Sequence, residues 1–247
     1  MNTADAVLPL KGRRVLVTGG TTGIGLSTAK LLSSEGARVF IFGRNQPELD
    51  QALKTMGDAG GDVQGITADQ ARPEEVAKVF REVDRTLGGL DILVNNAATS
   101  LGDLTELSAE AIQYEISANI GGYICCAREA VERMADGGGH IVNIGSMSAD
   151  LREEENSVYV ATKAAIQGFS ESLRKTVNPR GIKVSLIEPG KVDTEMVDRP
   201  EDQKEEAKKE LRMLEPEDIA ACVLFCLVQP LRCDIVQLQV RPHKQVI

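Results

Sequence analysis

Short runs rich in aliphatic and β-branched residues recur along the chain at 14–17, 38–42, 63–66, 91–95, 140–144, 183–187 and 234–240. Between them lie longer stretches, 24–35, 46–56, 73–87, 109–134, 158–177 and 216–228, whose apolar residues fall at helical spacing. The two periodicities, two residues for a strand and 3.6 for a helix, separate these segments. The order is β-α-β-α throughout. Such alternation predicts a mostly parallel seven-stranded sheet covered by helices on both faces and joined by right-handed crossovers. No linker, internal repeat or low-complexity tract interrupts the rhythm, so residues 1–247 are expected to form one domain. One segment breaks the apolar pattern. Between 193 and 212 stand Glu201, Asp202, Lys204, Glu205, Glu206, Lys208, Lys209 and Glu210, which suit a solvated helix face or a lid, bounded at 191–213, over a site.

Composition narrows the function classes. Hydrophobic residues make up 42% of the chain, but there are only five Phe, three Tyr and no Trp, so the core must be built from aliphatic side chains. That material suits a buried parallel sheet. A formal net charge of -9 argues against binding a nucleic-acid backbone, which needs a basic face. Residues 1–10 lack the basic and apolar regions of a signal peptide, and no apolar run is long enough to span a membrane, so a soluble cytoplasmic protein is expected. The five cysteines, at 125, 126, 222, 226 and 233, form no C-x-x-C and have no histidine at metal-ligand spacing; they read as buried thiols, with no metal site. His140 begins a predicted strand and His243 lies near the chain end. Neither has a nucleophile partner.

Two local patterns carry chemistry. The first strand runs into Thr18, Gly19, Gly20, Thr21, Thr22, Gly23, Ile24 and Gly25, after which a helix begins. Glycines there allow a tight turn and close backbone approach, and the helix N-terminus offers oriented N–H groups to a pyrophosphate. The spacing is G-x-x-x-G-x-G, which is neither the G-x-G-x-x-G fingerprint nor a P-loop, so the turn by itself says phosphate and no more. The second pattern is Tyr159-x-x-x-Lys163 with Ser146 upstream. On a helix, Tyr159 and Lys163 share one face, where an ammonium can bias a phenol of ordinary pKa ~10 toward ionisation. A surface pair has the same spacing.

Taken in order, Thr18-Gly19-x-x-x-Gly23-Ile24-Gly25, Asn95-Asn96-Ala97, Asn119, Ser146, Tyr159-x-x-x-Lys163 and Pro189-Gly190 resemble the short-chain dehydrogenase/reductase family over nearly the whole chain. The resemblance implies a three-layer, doubly wound Rossmann fold. It implies Asn119, Ser146, Tyr159 and Lys163 as the catalytic set, and a cofactor cleft formed by Gly19, Thr21, Thr22, Gly23, Ile24, Gly25, Arg44, Asn45, Asp69, Asn96, Ala97, Tyr159, Lys163, Pro189, Gly190, Val192 and Thr194. Gly19, Arg44, Asp69, Asn95, Ser146 and Pro189 follow six different predicted strands, and in a parallel sheet they converge on one rim. Taken singly, Asn95 and Asn96 also suit a turn, Asp69 a helix cap, and Pro189-Gly190 an ordinary turn.

The end of the second strand speaks to cofactor choice. Gly43 stands where NAD enzymes of this fold place an acidic residue, and Arg44 follows it. A guanidinium takes a 2′-phosphate bidentately, and the absent carboxylate removes a repulsion, so NADP(H) is expected. Thr22 departs from the basic residue that many NADP-preferring relatives carry before the second motif glycine, and Ala98 replaces the usual Gly after Asn-Asn-Ala. The resemblance implies that Asp69 meets the adenine edge, that Val192 and Thr194 hold the nicotinamide carboxamide, and that Lys163 lowers the Tyr159 pKa. Hydride transfer between a secondary alcohol and a ketone follows. The ending Asp234-Ile235-Val236-Gln237-Leu238-Gln239-Val240-Arg241-Pro242 is similar to that of NADP-dependent serine and 3-hydroxy acid dehydrogenases, which ranks a small 3-hydroxy acid first among substrates. A 3-oxoacyl carrier protein reductase is the enzymatic alternative and would need a basic patch at the mouth. A non-catalytic NADP-sensing protein is the alternative of another class. The family also implies a homodimer or homotetramer formed through 109–134 and 158–177.

Overall fold

The computed structural model describes residues 8–134, 137–154, 156–197 and 200–245. Strands β1 (Arg14–Thr18), β2 (Arg38–Gly43), β3 (Val63–Thr67), β4 (Ile92–Asn95), β5 (Gly139–Ile144), β6 (Ile182–Pro189) and β7 (Gln237–Val240) form one sheet in the order β3-β2-β1-β4-β5-β6-β7. Every neighbouring pair is parallel, so the expected Rossmann arrangement holds and the sheet is wholly parallel. Alternate residues of each strand feed opposite cores. Val15, Val17, Val39, Ile41, Val94 and Val142 pack under α1 (Gly23–Ser34), α2 (Gln46–Asp58) and α9 (Pro216–Leu227). Leu16, Phe40, Phe42, Leu93 and Ile141 pack under α3 (Pro73–Leu87), α5 (Gly122–Arg133) and α7 (Ser157–Val177).

Chain order reverses at β1, which has β2 on one side and β4 on the other. The loops leaving β1 and β4 therefore part there and open a crevice at the carboxyl rim, the usual ligand position in such sheets.

Three differences from the sequence reading have local causes. The stretch 109–134 is two helices, α4 (Ala109–Ile116) and α5, joined by a π-helical turn at Ser117–Gly121. An inserted residue of this kind rotates the side chains on either side of it, and periodicity averaged over many residues does not register it. Strand β7 starts at Gln237 and not at 234. Upstream of it, the Pro230 and Cys233 carbonyls accept from Lys183 Nζ, and the Ile235 carbonyl accepts from Ser185 Oγ, so side chains satisfy that backbone. Only Cys126 and Cys226 are buried; Cys125, Cys222 and Cys233 are half-buried, and all five thiols are free. The charged stretch contains α8 (Glu201–Lys209), with Lys204 and Ala207 inward and its acidic residues in solvent; residues 198 and 199 of that stretch, like 1–7, lie outside the described residues. Among the described residues no helix is long and apolar enough to cross a membrane.

Candidate active site

The turn after β1 is shaped by what glycine lacks. Gly19 has φ +61°, and a Cβ there would stand 2.9 Å from Ala97 Cα. At Gly25 a Cβ would collide with the Gly19 carbonyl. Both positions are thereby closed to side chains. Thr22 is the N-cap of α1, but its hydroxyl does not cap the helix, and no acidic residue lies in the first turn. The leading N–H groups at Gly23, Ile24 and Gly25 therefore have no side-chain acceptor and remain open to an anion. Asn96 locks the turn to β4: its Nδ2 donates to the carbonyls of Thr18 (3.0 Å) and Gly19 (3.2 Å), while Thr18 Oγ accepts from the Asn96 and Ala97 N–H groups. Asn95 is buried and donates to Asn143 on β5. Across the crevice, Thr194 Cγ2 is the nearest side-chain atom to a Cβ built on Gly23, at 3.3 Å, so the 191–194 segment closes over the turn.

At the β2 end Arg44 and Asn45 are exposed, and a side chain at Gly43 would run into Thr21. An acidic residue at position 43 thus needs Thr21 to move. Asp69 does not cap α3, whose N-cap is Arg72; its Oδ1 accepts from the Ala71 N–H at 2.9 Å in a local turn. Beyond β6, Gly190 N–H donates to Val240 (2.7 Å), and Pro189 accepts from Met147 (2.9 Å). Val192 bridges to Leu214.

The reacting end lies where β5, the π turn and α7 meet. Lys163 is 2% exposed and donates to the Ile144 carbonyl at 2.9 Å; the Tyr123 hydroxyl donates to the same carbonyl at 2.9 Å. The Lys163 ammonium stands 5.4 Å from the Tyr123 ring centroid and 5.5 Å from that of Tyr159. Burial depresses the Lys163 pKa to about 7. Asn119 is fully buried and is held by Thr99, which donates its N–H to Oδ1 (2.8 Å) and accepts from Nδ2 (2.7 Å). Nδ2 also donates to Thr162 Oγ, one residue before Lys163. The π turn aims Asn119 at α7 in this way.

Ser146 follows β5, and its Oγ accepts at 3.1 Å from the N–H of Ser148, the first residue of the short helix α6 (Ser148–Leu151). Tyr159 is half-buried. Desolvation pushes its phenol up to about 12; the Ser146 hydroxyl opposes the rise, and the charges of Glu115 and Glu153 add to it. The expected depression by Lys163 is therefore not what dominates here. The ammonium donates to the Ile144 carbonyl, and desolvation of the phenol is the largest influence on its acidity.

Two residues of α4 were missed by sequence reasoning. Glu115 is 1% exposed, with Oε2 accepting from the Leu101 N–H (3.0 Å) and Oε1 without a partner. Burial raises its own pKa, against the Leu101 bond. Tyr114 reaches Arg44 and Asp69. A signal for Glu115 existed: it lies on the inward stripe Ile112, Glu115, Asn119, where a carboxylate is out of place. His140, by contrast, has its pKa lowered to about 3 by burial and by Lys183, and it bonds Ser185, in keeping with a structural role.

The short chain dehydrogenase family profile matches residues 13–205. The chain belongs to that family. Its relatives include an uncharacterized oxidoreductase of Staphylococcus aureus (strain MRSA252), 34% identical over 94% of this chain and 98% of the relative. A short-chain dehydrogenase from Burkholderia cenocepacia J2315, solved in complex with NADP, superposes with a TM-score of 0.86 at 30% identity, over 95% of this chain and 98% of that one. A blue fluorescent protein from a metagenomic library, solved with NADPH, gives 0.84 at 27% identity, over 95% and 98%. The protein is thus an oxidoreductase of a family with NADP-bound members.

Burial of Lys163 has a stability consequence whose sign is fixed. The ammonium titrates near 7 when folded, against the ordinary 10.5. Between those values the unfolded chain holds a proton that the folded chain has lost, so stability rises with pH, and below 7 the cost is full. Lys163→Met is expected to raise Tm by roughly 4 °C or more at pH 6.5, with the gain shrinking at pH 9.5. A gain equal at both pH values in thermal scans would contradict the assignment.

Proposed function

We propose that this protein is an NADP(H)-dependent oxidoreductase interconverting a secondary alcohol and a ketone within a single dinucleotide-binding domain spanning residues 1–247. The observation that carries the reading is the convergence of Ser146, Tyr159, buried Lys163 and clamped Asn119 on the rim that also bears the glycine turn and Arg44. The residues present fit the cofactor: side-chain-free positions at Gly19 and Gly25, open N–H groups at the start of α1, and a guanidinium without a neighbouring carboxylate at position 43. The NADP and NADPH held by the two structural relatives support the same choice. When bound, the nicotinamide supplies or accepts the hydride.

The chain's own residues handle the proton and the charge. Ser146 hydrogen-bonds the carbonyl oxygen and stabilises negative charge developing there. Tyr159 gives that oxygen its proton in reduction and removes it in oxidation. Lys163 carries protons past Tyr159 and binds the nicotinamide ribose, a role that suits an ammonium with pKa near 7, since it can exchange its proton at working pH. Asn119 would hold a water that relays protons to Lys163. Thr21, Thr22, Gly23 and Ile24 would receive the pyrophosphate, Arg44 and Asn45 the 2′-phosphate, Asp69, Asn96 and Ala97 the adenosine, and Pro189, Gly190, Val192 and Thr194 the nicotinamide side.

Residues 191–213 form the proposed lid. Asp193 is ion-paired to Lys204 (3.2 Å) and Lys208 (2.9 Å) of α8, and this ties the helix to the segment beside Gly23. The same pairing leaves those two lysines committed to Asp193, which disfavours an acidic carrier protein as the substrate's bearer. A small 3-hydroxy acid remains the leading substrate. Exposed Ile116 and Ile124 support a homodimer or homotetramer through α4, α5 and α7, a reading that a monomeric mass by light scattering would exclude. NADPH turnover on any carbonyl separates the enzyme from a sensor.

Tyr159→Phe should lower kcat by roughly 10²–10⁴-fold with the folded state retained; turnover near wild type would remove Tyr159 from the mechanism. Glu115→Gln keeps an acceptor for Leu101 but removes a charge that raises the Tyr159 pKa. The rising limb of alcohol oxidation against pH should therefore move to lower pH. A limb that stays in place or moves upward would show that Glu115 does not act on Tyr159.

A further inference from the structure

Tyr114 joins two side chains that follow different strands. Its hydroxyl accepts from Arg44 Nη1 at 2.7 Å and donates to Asp69 Oδ2 at 3.1 Å. The Arg44 guanidinium carbon lies 5.9 Å from the Tyr114 ring centroid, so the ring also faces the cation. Asp69 is held from its other side by the Ala71 N–H. Burial raises the Tyr114 pKa, with Arg44 opposing and Asp69 adding, so the phenol keeps its proton and can accept and donate at once.

We propose that Tyr114 is a positioning residue for cofactor selectivity: its hydroxyl fixes Arg44 beside the end of β2 and links it to Asp69, making one preorganised reader of a 2′-phosphorylated adenosine. The inference rests on the NADP(H) reading above. Arg44 is exposed, and an exposed guanidinium without an anchor must give up rotamer freedom when it takes a phosphate. Tyr114 removes part of that freedom beforehand and engages one donor of five, leaving a pair for bidentate contact. The ring is half-buried on α4, one turn before the π segment that carries Asn119, so the anchor is itself held by the helix of the reacting site. An unphosphorylated ribose gives Arg44 no anion to grip. Tyr114 should therefore matter to NADP and not to NAD.

Equilibrium binding of NADPH, NADH, 2′,5′-ADP and 5′-AMP to wild type, Tyr114→Phe, Arg44→Ala and the double variant tests this without turnover, with circular dichroism and Tm as controls for folding. Tyr114→Phe should raise the Kd of NADPH and 2′,5′-ADP roughly three- to tenfold while those of NADH and 5′-AMP change by less than about twofold. In the Arg44→Ala background it should add nothing, since the anchor then has no cation to place. If Arg44→Ala weakens 2′,5′-ADP but Tyr114→Phe does not, or if Tyr114→Phe weakens all four ligands alike, the positioning role is overturned and the cofactor reading stands. If Arg44→Ala leaves the NADPH-to-NADH ratio unchanged, the cofactor reading itself fails and the inference falls with it.

Discussion

Parallel pairing is the constraint on which this molecule depends. With all seven strands running the same way, every carboxyl end reaches the same rim, and residues 19, 44, 69, 95, 146 and 189 meet although the chain separates them widely. Alternating antiparallel strands would send half of them to the far side. The rim is then stiffened by backbone-directed side chains: Asn96 ties the glycine turn to β4, Asn95 ties β4 to β5, and Asn119 ties the π turn to the loop after β4 and to α7. Each of these amides bonds protein groups and so sets the shape into which a ligand fits.

Within that frame the reacting end is dominated by desolvation. Lys163 is buried against the Ile144 carbonyl beside two aromatic rings, which brings its pKa near neutrality, while the same dryness raises Tyr159. The two shifts move the ammonium and the phenol apart in proton affinity, so that Lys163 gives up its proton far more readily than Tyr159 does. Ser146 pulls the phenol down, and Glu115 and Glu153 push it up. Desolvation first, and then the groups close to the phenol, set the acidity of this site.

Much of this was legible in the sequence, because period-2 and period-3.6 patterns report directly on a buried parallel sheet and its covering helices. The glycine turn, Arg44, Ser146, Tyr159 and Lys163 stand at the strand ends or helix faces that their motifs imply. What escaped has a common cause: it depends on contacts between elements far apart in sequence. Tyr114 meets Arg44 across 70 positions. Glu115 reads as one acidic residue among many until its burial is known, and the π turn is one added residue within a long helical stretch. The shortened β7 depends on Lys183 and Ser185, side chains of the neighbouring strand, taking up the carbonyls that pairing would otherwise use.

On the proposed reading this rim moves a hydride between NADPH and a carbonyl carbon. NADPH deuterated at either face of nicotinamide C4, incubated with the protein and a panel of small ketones and 3-oxo acids, tests it directly. Deuterium is expected on the carbinol carbon of the product alcohol, from one face of the cofactor only. Product carrying no deuterium at that carbon with either labelled cofactor, or no NADPH oxidation with any carbonyl, would contradict it.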